Sequence, residues 1–518
     1  MESAWSLLMY AFWRRVRNLK APLAVALLPL AVLYFLARSK IHFGLNLADE
    51  GYLWYGSQRT AAGEVPIRDF SAYEPGRYYW TALWMFFAHD DGIVVMRWAA
   101  ALFEGLAVFV GSWEVWRATR SVLIALLAML TAMLLMNIWH ARYEAAVAIM
   151  QVAVLARLLR EPDSRRLFQG GLQVGIAGFF GRNLALYGLV GLVGVVAICS
   201  FACRPWLSWG RMGKVALGLA LGTLPLVTML VLIPHFGSAC WGSILRLIEL
   251  KTTNLSLPVP WLWTLHDKAR LIISEPSLLI FSLFCLLPGP LFVLTIVWAG
   301  MKGRAFLTEN SFFVSASVLA LPYAHYVISR ADPEHLMRGG APLMLALATT
   351  PVSNWPAWRA LPAFMMVIVT LIWLPEDSWA QGGACREARV GGDRLCIPDT
   401  TARIIEGTAA LVQRYVTPGQ AVMIAPAYPA IYAAMHLKAP NWEIYSAFPA
   451  SRNFEQVEVK RIEAAATKLV VLSTYQFDGR PETRYNITHP IIWEYLDQAF
   501  PSIAQDFLPK EFRVGVHR

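Results

Sequence analysis

The apolar residues of this chain fall into long runs, and that arrangement constrains the fold more than any other feature. Hydrophobic residues make up 57% of the 518 positions and charged residues 15%, whereas a typical soluble domain has about 25% charged residues. A run of roughly 17–25 apolar residues can cross a bilayer as one helix. The pattern therefore predicts a multi-pass α-helical membrane protein and excludes a disordered chain, a fibrous chain and a single soluble domain.

The apolar runs predict about eleven transmembrane helices by this length rule. The first run follows four basic residues, and segment 37–40 (ARSK) after it is a poor cleavage site for a signal peptidase. We therefore expect an uncleaved first span with a cytoplasmic N-terminus. The expected spans lie near residues 21–38, 92–115, 121–137, 143–159, 167–181, 184–202, 213–234, 276–299, 311–329, 340–352 and 360–375.

The basic residues indicate the topology. The net charge is +10, and much of it lies in short loops after the even-numbered spans, so the positive-inside rule explains it without a nucleic-acid partner. These loops are Arg117/Arg120, Arg157–Arg166, Arg204–Lys214, Lys302/Arg304 and Arg359. The same topology sends the unusual polar segments to the opposite face, namely Asn46–Asp91, Asn137–Glu144, Arg182-Asn183, His235–Glu275, Arg330–Arg338 and the chain after Pro375. Polar chemistry on one face favours an enzyme or receptor over a channel.

The composition changes near residue 376, which predicts a membrane domain over 1–375 and a soluble extracytoplasmic α/β domain over 376–518. Cys385 and Cys396 in the second part can form a disulfide if it lies outside the cytoplasm. The other four cysteines lie in or beside apolar runs, where buried thiols are expected. The expected elements are helices at 401–415, 428–437, 457–466 and 491–500 and strands at 421–425, 468–473 and 512–517, in a partly parallel sheet.

The first outer loop carries the densest acidic chemistry. Asp49 and Glu50 begin a predicted short helix over 49–62, where they either perform chemistry or complement the helix dipole. A carboxylate at an interface beside aromatic residues suits proton transfer. Segment 65–80 adds Asp69 and Glu74, with Arg68 and Arg77 as either phosphate ligands or structural ion-pair partners. The aromatic segment 78–88 that follows is too short to span and is expected to lie in the interface.

This order of features resembles the first outer loop of the GT-C glycosyltransferases. The matching features are a first span, the Asp49-Glu50 pair, segment 63–70 (GEVPIRDF), the Glu74-Pro75 step and the aromatic helix before the second span. The loop is most similar to the branch that contains the protein O-mannosyltransferases and the lipid A aminoarabinose transferases. The resemblance implies a GT-C-like helix bundle and a polyprenyl-phosphate sugar donor used on the outer membrane face.

The resemblance also implies roles for the acids. Asp49 matches the residue that acts as general base or orients the acceptor. Glu74 matches the second acidic element, with Asp69 as the alternative, and in some relatives that acid helps to hold a metal or the acceptor. The family element usually continues with a second proline or a basic residue, whereas this chain has Pro75-Gly76-Arg77. Glu50 is expected to order the acceptor or a metal.

Basic side chains on the outer face are candidates for stabilising the donor phosphate as it leaves. The candidates are Arg77, Arg182, Lys268, Arg270, Arg330 and Arg338. Candidates for orienting the acceptor are Tyr73, Asn183, Asp332 and His335. Asp332 and His335 are three residues apart, so a metal site is an alternative. No cofactor is certain, and a divalent metal stays open.

The sequence thus predicts an inverting membrane glycosyltransferase that moves a monosaccharide from a polyprenyl-phosphate donor to a lipid, glycan or protein acceptor. One displacement with Asp49 as base needs no carboxylate nucleophile. The expected location is the bacterial inner membrane, with the active site and the C-terminal domain in the periplasm. The alternatives are a non-catalytic binder or transporter of lipid-linked glycans and a ligase for whole oligosaccharides.

Overall fold

The computed structural model describes residues 23–25, 27–136, 143–202, 208–251, 254–264, 276–352, 356–373 and 385–517. The first part of the chain is helical. Its helices are α1 (Leu23–Lys40), α2 (Asp49–Ala61), α3 (Pro75–Ala88), α4 (Ile93–Thr119), α5 (Val122–Leu135), α6 (Tyr143–Arg160), α7 (Ser164–Phe180), α8 (Arg182–Ala202), α9 (Trp209–Gly222), α10 (Leu224–Leu232), α11 (Phe236–Leu250), α12 (Pro276–Leu286), α13 (Pro288–Glu309), α14 (Ser311–Ser329), α15 (Pro333–Gly339), α16 (Ala341–Ala348) and α17 (Pro356–Trp373).

A helix or a broken pair of helices lies at each of the eleven predicted spans. Five helices in the described ranges are long and apolar enough to cross a membrane, and the pair α9–α10, bent by 52°, makes a sixth if it counts as one span. The chain is therefore a multi-pass membrane protein, and the number of about eleven spans stays a prediction. The span expected at 276–299 is divided at Leu287, although this residue keeps helical dihedral angles (φ −70°, ψ −31°), because Pro288 has no N–H to donate to the preceding turn and starts a new helix.

Charged residues from the loops predicted to be cytoplasmic contact one another at one end of the bundle. Arg157 and Arg160 both form ion pairs with Glu114, the first at 2.6 Å between Nε and Oε1. Glu161 pairs with Arg166 at 2.6 Å nearby. The segments predicted to face the other side contact one another elsewhere, as the site below shows. The assignment of these two groups of polar segments to opposite membrane faces stays a prediction.

The first outer loop contains the two short helices that the sequence predicts. Helix α2 begins at Asp49, as expected, and ends at Ala61. Helix α3 buries Tyr78 and Met85 on one side and leaves Phe86 and Phe87 68% and 63% exposed on the other. This two-sided helix fits the expected interfacial position, which stays a prediction.

The described C-terminal residues form two small sheets with helices. Their elements are β1 (Cys385–Val390), β2 (Asp393–Pro398), α18 (Asp399–Tyr415), β3 (Ala421–Ala425), α19 (Pro429–Ala434), α20 (Arg452–Ala464), β4 (Thr467–Ser473), α21 (Tyr485–Thr488), α22 (Pro490–Ala499) and β5 (Phe512–Val516). Strand β4 is central. It pairs in parallel with β3, with Ile424 opposite Val471, and antiparallel with β5, with Val514 opposite Val471. The partly parallel sheet is confirmed.

Strands β1 and β2 form a hairpin that is not among the predicted elements. They pair antiparallel around Gly391 and Gly392, which have φ values of +57° and +92°. The Gly-Gly step is a hairpin signal, because glycine adopts positive φ without a steric cost. The expected disulfide between Cys385 and Cys396 is present and joins the two strands.

The C-terminal region packs directly on the first outer loop. Leu53, Trp54 and Tyr55 of α2 share one hydrophobic core with Ile431 and Tyr432 of α19. Helices α2 and α19 approach so closely that a Cβ atom at Gly51 would overlap α19, 2.5 Å from the Cβ atom of Ala430. The C-terminal region is thereby fixed over the loop that carries Asp49.

Candidate active site

Asp49 is the first residue of α2, and the preceding turn fixes its position. The Asn46 Oδ1 atom accepts hydrogen bonds from the backbone N–H groups of Ala48 and Asp49 at 2.8 and 3.0 Å. Asp49 is half-buried, and its charge acts on Tyr445 of the C-terminal region, whose pKa is raised first by burial and then by this charge. Arg338 of α15 lies close enough for its charge to interact with Asp49. Three distant parts of the chain therefore meet at this carboxylate.

Glu50 points elsewhere and is buried, with 1% of its surface exposed. Its two carboxylate oxygens accept hydrogen bonds from Arg97 of α4 at 2.7 and 2.9 Å. Arg97 also donates to the backbone carbonyls of Ile41 and Gly44, at 2.7 Å each. The contacts of Glu50 hold the end of α1 and the following turn against α4, and both oxygens are occupied.

Asp69 is also engaged locally. Its carboxylate accepts two hydrogen bonds from Arg68, each 2.8 Å, and one from the backbone N–H of Val65 at 2.8 Å. These bonds close the turn 65–70. The Arg68 side chain is therefore directed to Asp69.

Glu74 and Arg182, from two separate predicted segments, are brought together. The Arg182 Nε atom donates to Glu74 Oε1 at 2.5 Å, and Nη1 donates to Ser243 at 3.3 Å. Arg182 nevertheless keeps 43% of its side chain exposed. Asn183, the next residue, lies with Arg182 in the first turn of α8.

Arg77 is buried between α3, α6 and α7. Its Nη1 atom lies 2.7 Å from Glu144 Oε1, its Nε donates to the Phe180 carbonyl at 2.8 Å, and its guanidinium stands 5.0 Å from the centre of the Tyr73 ring. A buried arginine on a helix needs such partners, because desolvating the charge alone is costly. Tyr73 in turn packs edge-on against Tyr52 at 5.1 Å.

Charges of alternating sign connect these residues into a line that we call the charge row. Arg338 interacts with both Asp49 and Glu144, and Arg77 interacts with both Glu144 and Glu74. The charge row consists of Asp49, Arg338, Glu144, Arg77, Glu74 and Arg182. It joins the candidate base at one end to an exposed arginine at the other.

Arg338 is the member of the charge row with spare hydrogen-bonding capacity. Its Nη2 atom donates to Glu334 at 3.0 Å. Among the described residues, its buried Nε atom has no hydrogen-bond partner. An unsatisfied buried donor is unfavourable, so an oxygen of an anionic ligand at this point would stabilise it.

Arg330, Asp332 and His335 form a different cluster. Arg330 donates to both oxygens of Asp478 in the C-terminal region, at 2.8 and 2.6 Å, and also pairs with Asp332. Asp332 caps α15 and accepts from His335 N at 2.7 Å and from His335 Nδ1 at 2.9 Å. Burial opposes the charged form of Asp332, but hydrogen bonds from His335 and Arg330 lower its pKa to about 2.

Two predictions are left, the metal site and the phosphate ligands Lys268 and Arg270. Within the described ranges, no three His, Cys, Asp or Glu side chains come together in an arrangement that could hold a metal ion. Asp332 and His335 are hydrogen-bonded to each other. Lys268 and Arg270 lie outside the described residues, so their proposed contact with a phosphate stays a prediction.

Three residues at the site are not anticipated from the sequence. Tyr445 lies in a segment without regular structure, Glu144 is the second residue of α6, and Arg97 lies inside a predicted span. A charged residue within an apolar run is itself a signal for a buried partner. Arg97 and Glu144 both lie within predicted spans, so the sequence indicates a buried partner for each of them, whereas no pattern around Tyr445 indicates its position.

Comparison with known proteins supports the fold. No family model and no curated protein matches the chain. Among solved structures, ArnT from Cupriavidus metallidurans bound to undecaprenyl phosphate is similar at a TM-score of 0.50 and 14% identity, over 95% of this chain and 98% of that chain. The apo form of the same ArnT gives 0.47 and 13%, over 99% and 98%. The oligosaccharyltransferase of Archaeoglobus fulgidus gives 0.35 and 13%, over 95% and 75%.

The likeness to ArnT extends over nearly the whole of both chains. ArnT is a member of the GT-C superfamily, the group that the first outer loop of this chain resembles. The chain is a multi-pass membrane protein with the GT-C fold.

Proposed function

We propose that the chain is an integral membrane glycosyltransferase that moves a monosaccharide from a polyprenyl-phosphate donor to a lipid, glycan or protein acceptor. The observation that carries this proposal is the state of Asp49. Glu50, Asp69 and Glu74 each form an ion pair, whereas Asp49 is the one of the four predicted acids without an ion-pair partner in the described ranges. A general base needs a carboxylate that can reach the acceptor proton.

The reaction is a single displacement. Asp49 takes the proton of the acceptor hydroxyl while that oxygen attacks the anomeric carbon of the donor sugar. The bond between the anomeric carbon and the phosphate oxygen breaks, and the phosphate leaves with the electron pair. A single displacement inverts the anomeric configuration.

Arg338 is the proposed ligand of the leaving phosphate. Its buried Nε has unused donor capacity, and its charge lies near Asp49. A guanidinium stabilises the charge that develops on the phosphate, and a pre-positioned donor does so without reorganisation. Arg182, at the exposed end of the charge row, is the second proposed ligand.

The other predicted residues take supporting roles in this proposal. Glu50 and Asp69 fix the loop around Asp49, and Arg77 and Glu74 hold the charge row together. Arg330 and Asp332 connect the bundle to the C-terminal region. The undecaprenyl phosphate bound to the similar ArnT structure supports a polyprenyl-phosphate carrier, and we place the chain in a bacterial inner membrane with this site on the periplasmic face.

The test is sugar transfer by purified protein from a panel of synthetic polyprenyl-phosphate monosaccharides. Wild type is compared with Asp49→Asn and with Asp506→Asn, a matched change at an exposed residue of a C-terminal loop. We expect wild type and Asp506→Asn to release polyprenyl phosphate, and Asp49→Asn to be slower by about 10²-fold or more. Tight binding of donor without turnover in all three would instead support a binder or transporter. Transfer of whole oligosaccharides in preference to monosaccharides would support a ligase.

A further inference from the structure

The carboxyl ends of the two parallel strands in the C-terminal sheet face the first outer loop. Strand β3 is followed by α19, where the backbone N–H of Ala430 donates to the Leu47 carbonyl at 3.1 Å. Strand β4 runs parallel to β3 and ends at Ser473. Ligands of open α/β sheets bind outside the carboxyl ends of such strands. In this chain, that edge of the sheet adjoins the loop that carries Asp49.

Aromatic side chains form a continuous row along this edge. Tyr475, two residues after β4, contacts Phe477 with ring centres 5.1 Å apart and Tyr428 at 6.0 Å. Phe477 contacts Tyr445 at 5.3 Å, and Tyr445 contacts Tyr52 of α2 at 5.8 Å. We call these five residues the aromatic row. It connects the sheet of the C-terminal region to the helix that begins with the candidate base.

The aromatic row ends beside Asp49. Tyr52 and Asp49 are three residues apart in α2, so they lie on the same side of that helix. Ala48, the residue before Asp49, packs against a small buried cluster that contains Phe477. The charge of Asp49 also acts on Tyr475. A ligand bound on the aromatic row is therefore next to the candidate base.

The chemistry of the aromatic row suits an uncharged ligand. Tyr475 is 41% exposed although two rings pack against it. Burial raises the pKa of Tyr428, Tyr445 and Tyr475, so their hydroxyls keep their protons. The neighbouring charges pair with each other, because Arg330 donates to both oxygens of Asp478 at 2.8 and 2.6 Å. A sugar ring has a C–H face that stacks on an aromatic ring and hydroxyls that bond to tyrosine.

We propose that the aromatic row is an acceptor subsite that binds a sugar ring on Tyr475, so that the acceptor of this chain is a carbohydrate. The inference rests on the proposed glycosyl transfer and narrows its acceptor from a lipid, glycan or protein to a sugar hydroxyl. The bonds that form and break stay those of the single displacement. The C-terminal region thereby selects the acceptor.

The first test compares acceptors with and without a sugar ring. The full chain receives the active polyprenyl-phosphate monosaccharide with octyl glycosides, methyl glycosides, octanol or a serine-containing peptide. We expect kcat/KM for the best glycoside to exceed that for octanol and peptide by about tenfold or more. A preference for octyl glycosides would support a glycolipid as the source of the ring, and equal use of both glycosides a free glycan. Equal transfer to octanol or to the peptide would overturn the proposal.

The variant Tyr475→Leu keeps an apolar side chain but removes the flat ring. Phe507→Leu is the matched control, because Phe507 is 42% exposed in another loop of the C-terminal region. For Tyr475→Leu we expect the acceptor KM of the best glycoside to rise about tenfold, with kcat and the donor KM within about twofold of wild type, since an aromatic contact contributes a factor of about this size. Tyr475→Phe loses only the hydroxyl and should show a smaller rise, of about twofold to threefold. An unchanged acceptor KM in Tyr475→Leu, or an equal rise in Phe507→Leu, would overturn the proposal.

A second measurement does not depend on turnover. Saturation-transfer nuclear magnetic resonance is recorded for methyl glycosides with the full chain in lipid nanodiscs, without donor. We expect the sugar-ring protons to be saturated by wild type and by Phe507→Leu, and to lose most of this signal with Tyr475→Leu. No saturation with any glycoside, or equal saturation with Tyr475→Leu, would overturn the proposal. If wild type transfers no sugar but binds glycosides through Tyr475, the proposed glycosyl transfer fails while the subsite stands.

Discussion

The two adjacent acids at the start of α2 should respond to substitution in opposite ways. Glu50 and Arg97 are 1% and 3% exposed and are joined by two hydrogen bonds. Glu50→Gln leaves the Arg97 charge buried without a counter-charge, and breaking a buried ion pair in this way costs about 3–5 kcal/mol. The new amide oxygen and the remaining backbone carbonyls still accept from Arg97, so we expect a loss near 3 kcal/mol.

Unfolding in detergent micelles, followed by circular dichroism or a thiol-reactive dye, measures this loss. Asp49→Asn serves as the neighbouring control and should change stability by less than about 1 kcal/mol, because Asp49 is half-buried and has no ion-pair partner in the described ranges. Glu161→Gln is the exposed control. Its side chain is 46% exposed, and such surface ion pairs contribute about 0–1 kcal/mol. The reasoning is refuted if Glu50→Gln keeps wild-type stability and loses sugar transfer as severely as Asp49→Asn does.

Three further predictions concern the framework of the site. The contribution of charged Asp332 to stability is complete above its ordinary pKa of 3.8 and is lost as the pH falls through its lowered pKa of about 2. Asp332→Asn should therefore lower the free energy of unfolding by about 2 kcal/mol at neutral pH and flatten the fall in stability between pH 5 and 2. Acid titration of both proteins measures this difference. Gly51→Ala should cost about 1–3 kcal/mol through overlap with α19, whereas Gly210→Ala, which has nothing within 4 Å, should not, and a comparison of Tm values tests the pair. Alkylation of the folded, unreduced protein followed by mass spectrometry should leave Cys385 and Cys396 unmodified, and labelling of either would contradict the disulfide.

The sequence predicts those parts of the fold that depend on local pattern. The apolar runs mark the helices of the bundle because the bilayer requires long apolar segments with satisfied backbone groups. In the C-terminal region, β3 lies at 421–425 as predicted, because a short continuous run of apolar residues is typical of a buried strand. The break at Leu287 and the hairpin at Gly391-Gly392 also have local causes, and attention to Pro288 and to the paired glycines would have predicted them.

The contacts of the site depend on packing between distant segments. The sequence places Glu74 and Arg182 on the same face, but only the packing of α3 beside α7 brings them to 2.5 Å. Arg330 looks like a phosphate ligand in isolation, and its partner Asp478 lies far along the chain. The packing of the Tyr445 ring against Tyr52, with ring centres 5.8 Å apart, likewise depends on how the C-terminal region packs on α2. Pairings of this kind follow from tertiary packing, which single-sequence periodicity does not encode.

A single displacement with Asp49 as the base fixes the anomeric configuration of the product, so determining that configuration distinguishes it from a double displacement. Wild-type protein is given a polyprenyl-phosphate sugar of known configuration, and the linkage in the glycosylated acceptor is determined by nuclear magnetic resonance. We expect inversion, because the acceptor oxygen attacks opposite the leaving phosphate. Retention would require a covalent glycosyl intermediate on a second nucleophile, and it would contradict the role given to Asp49.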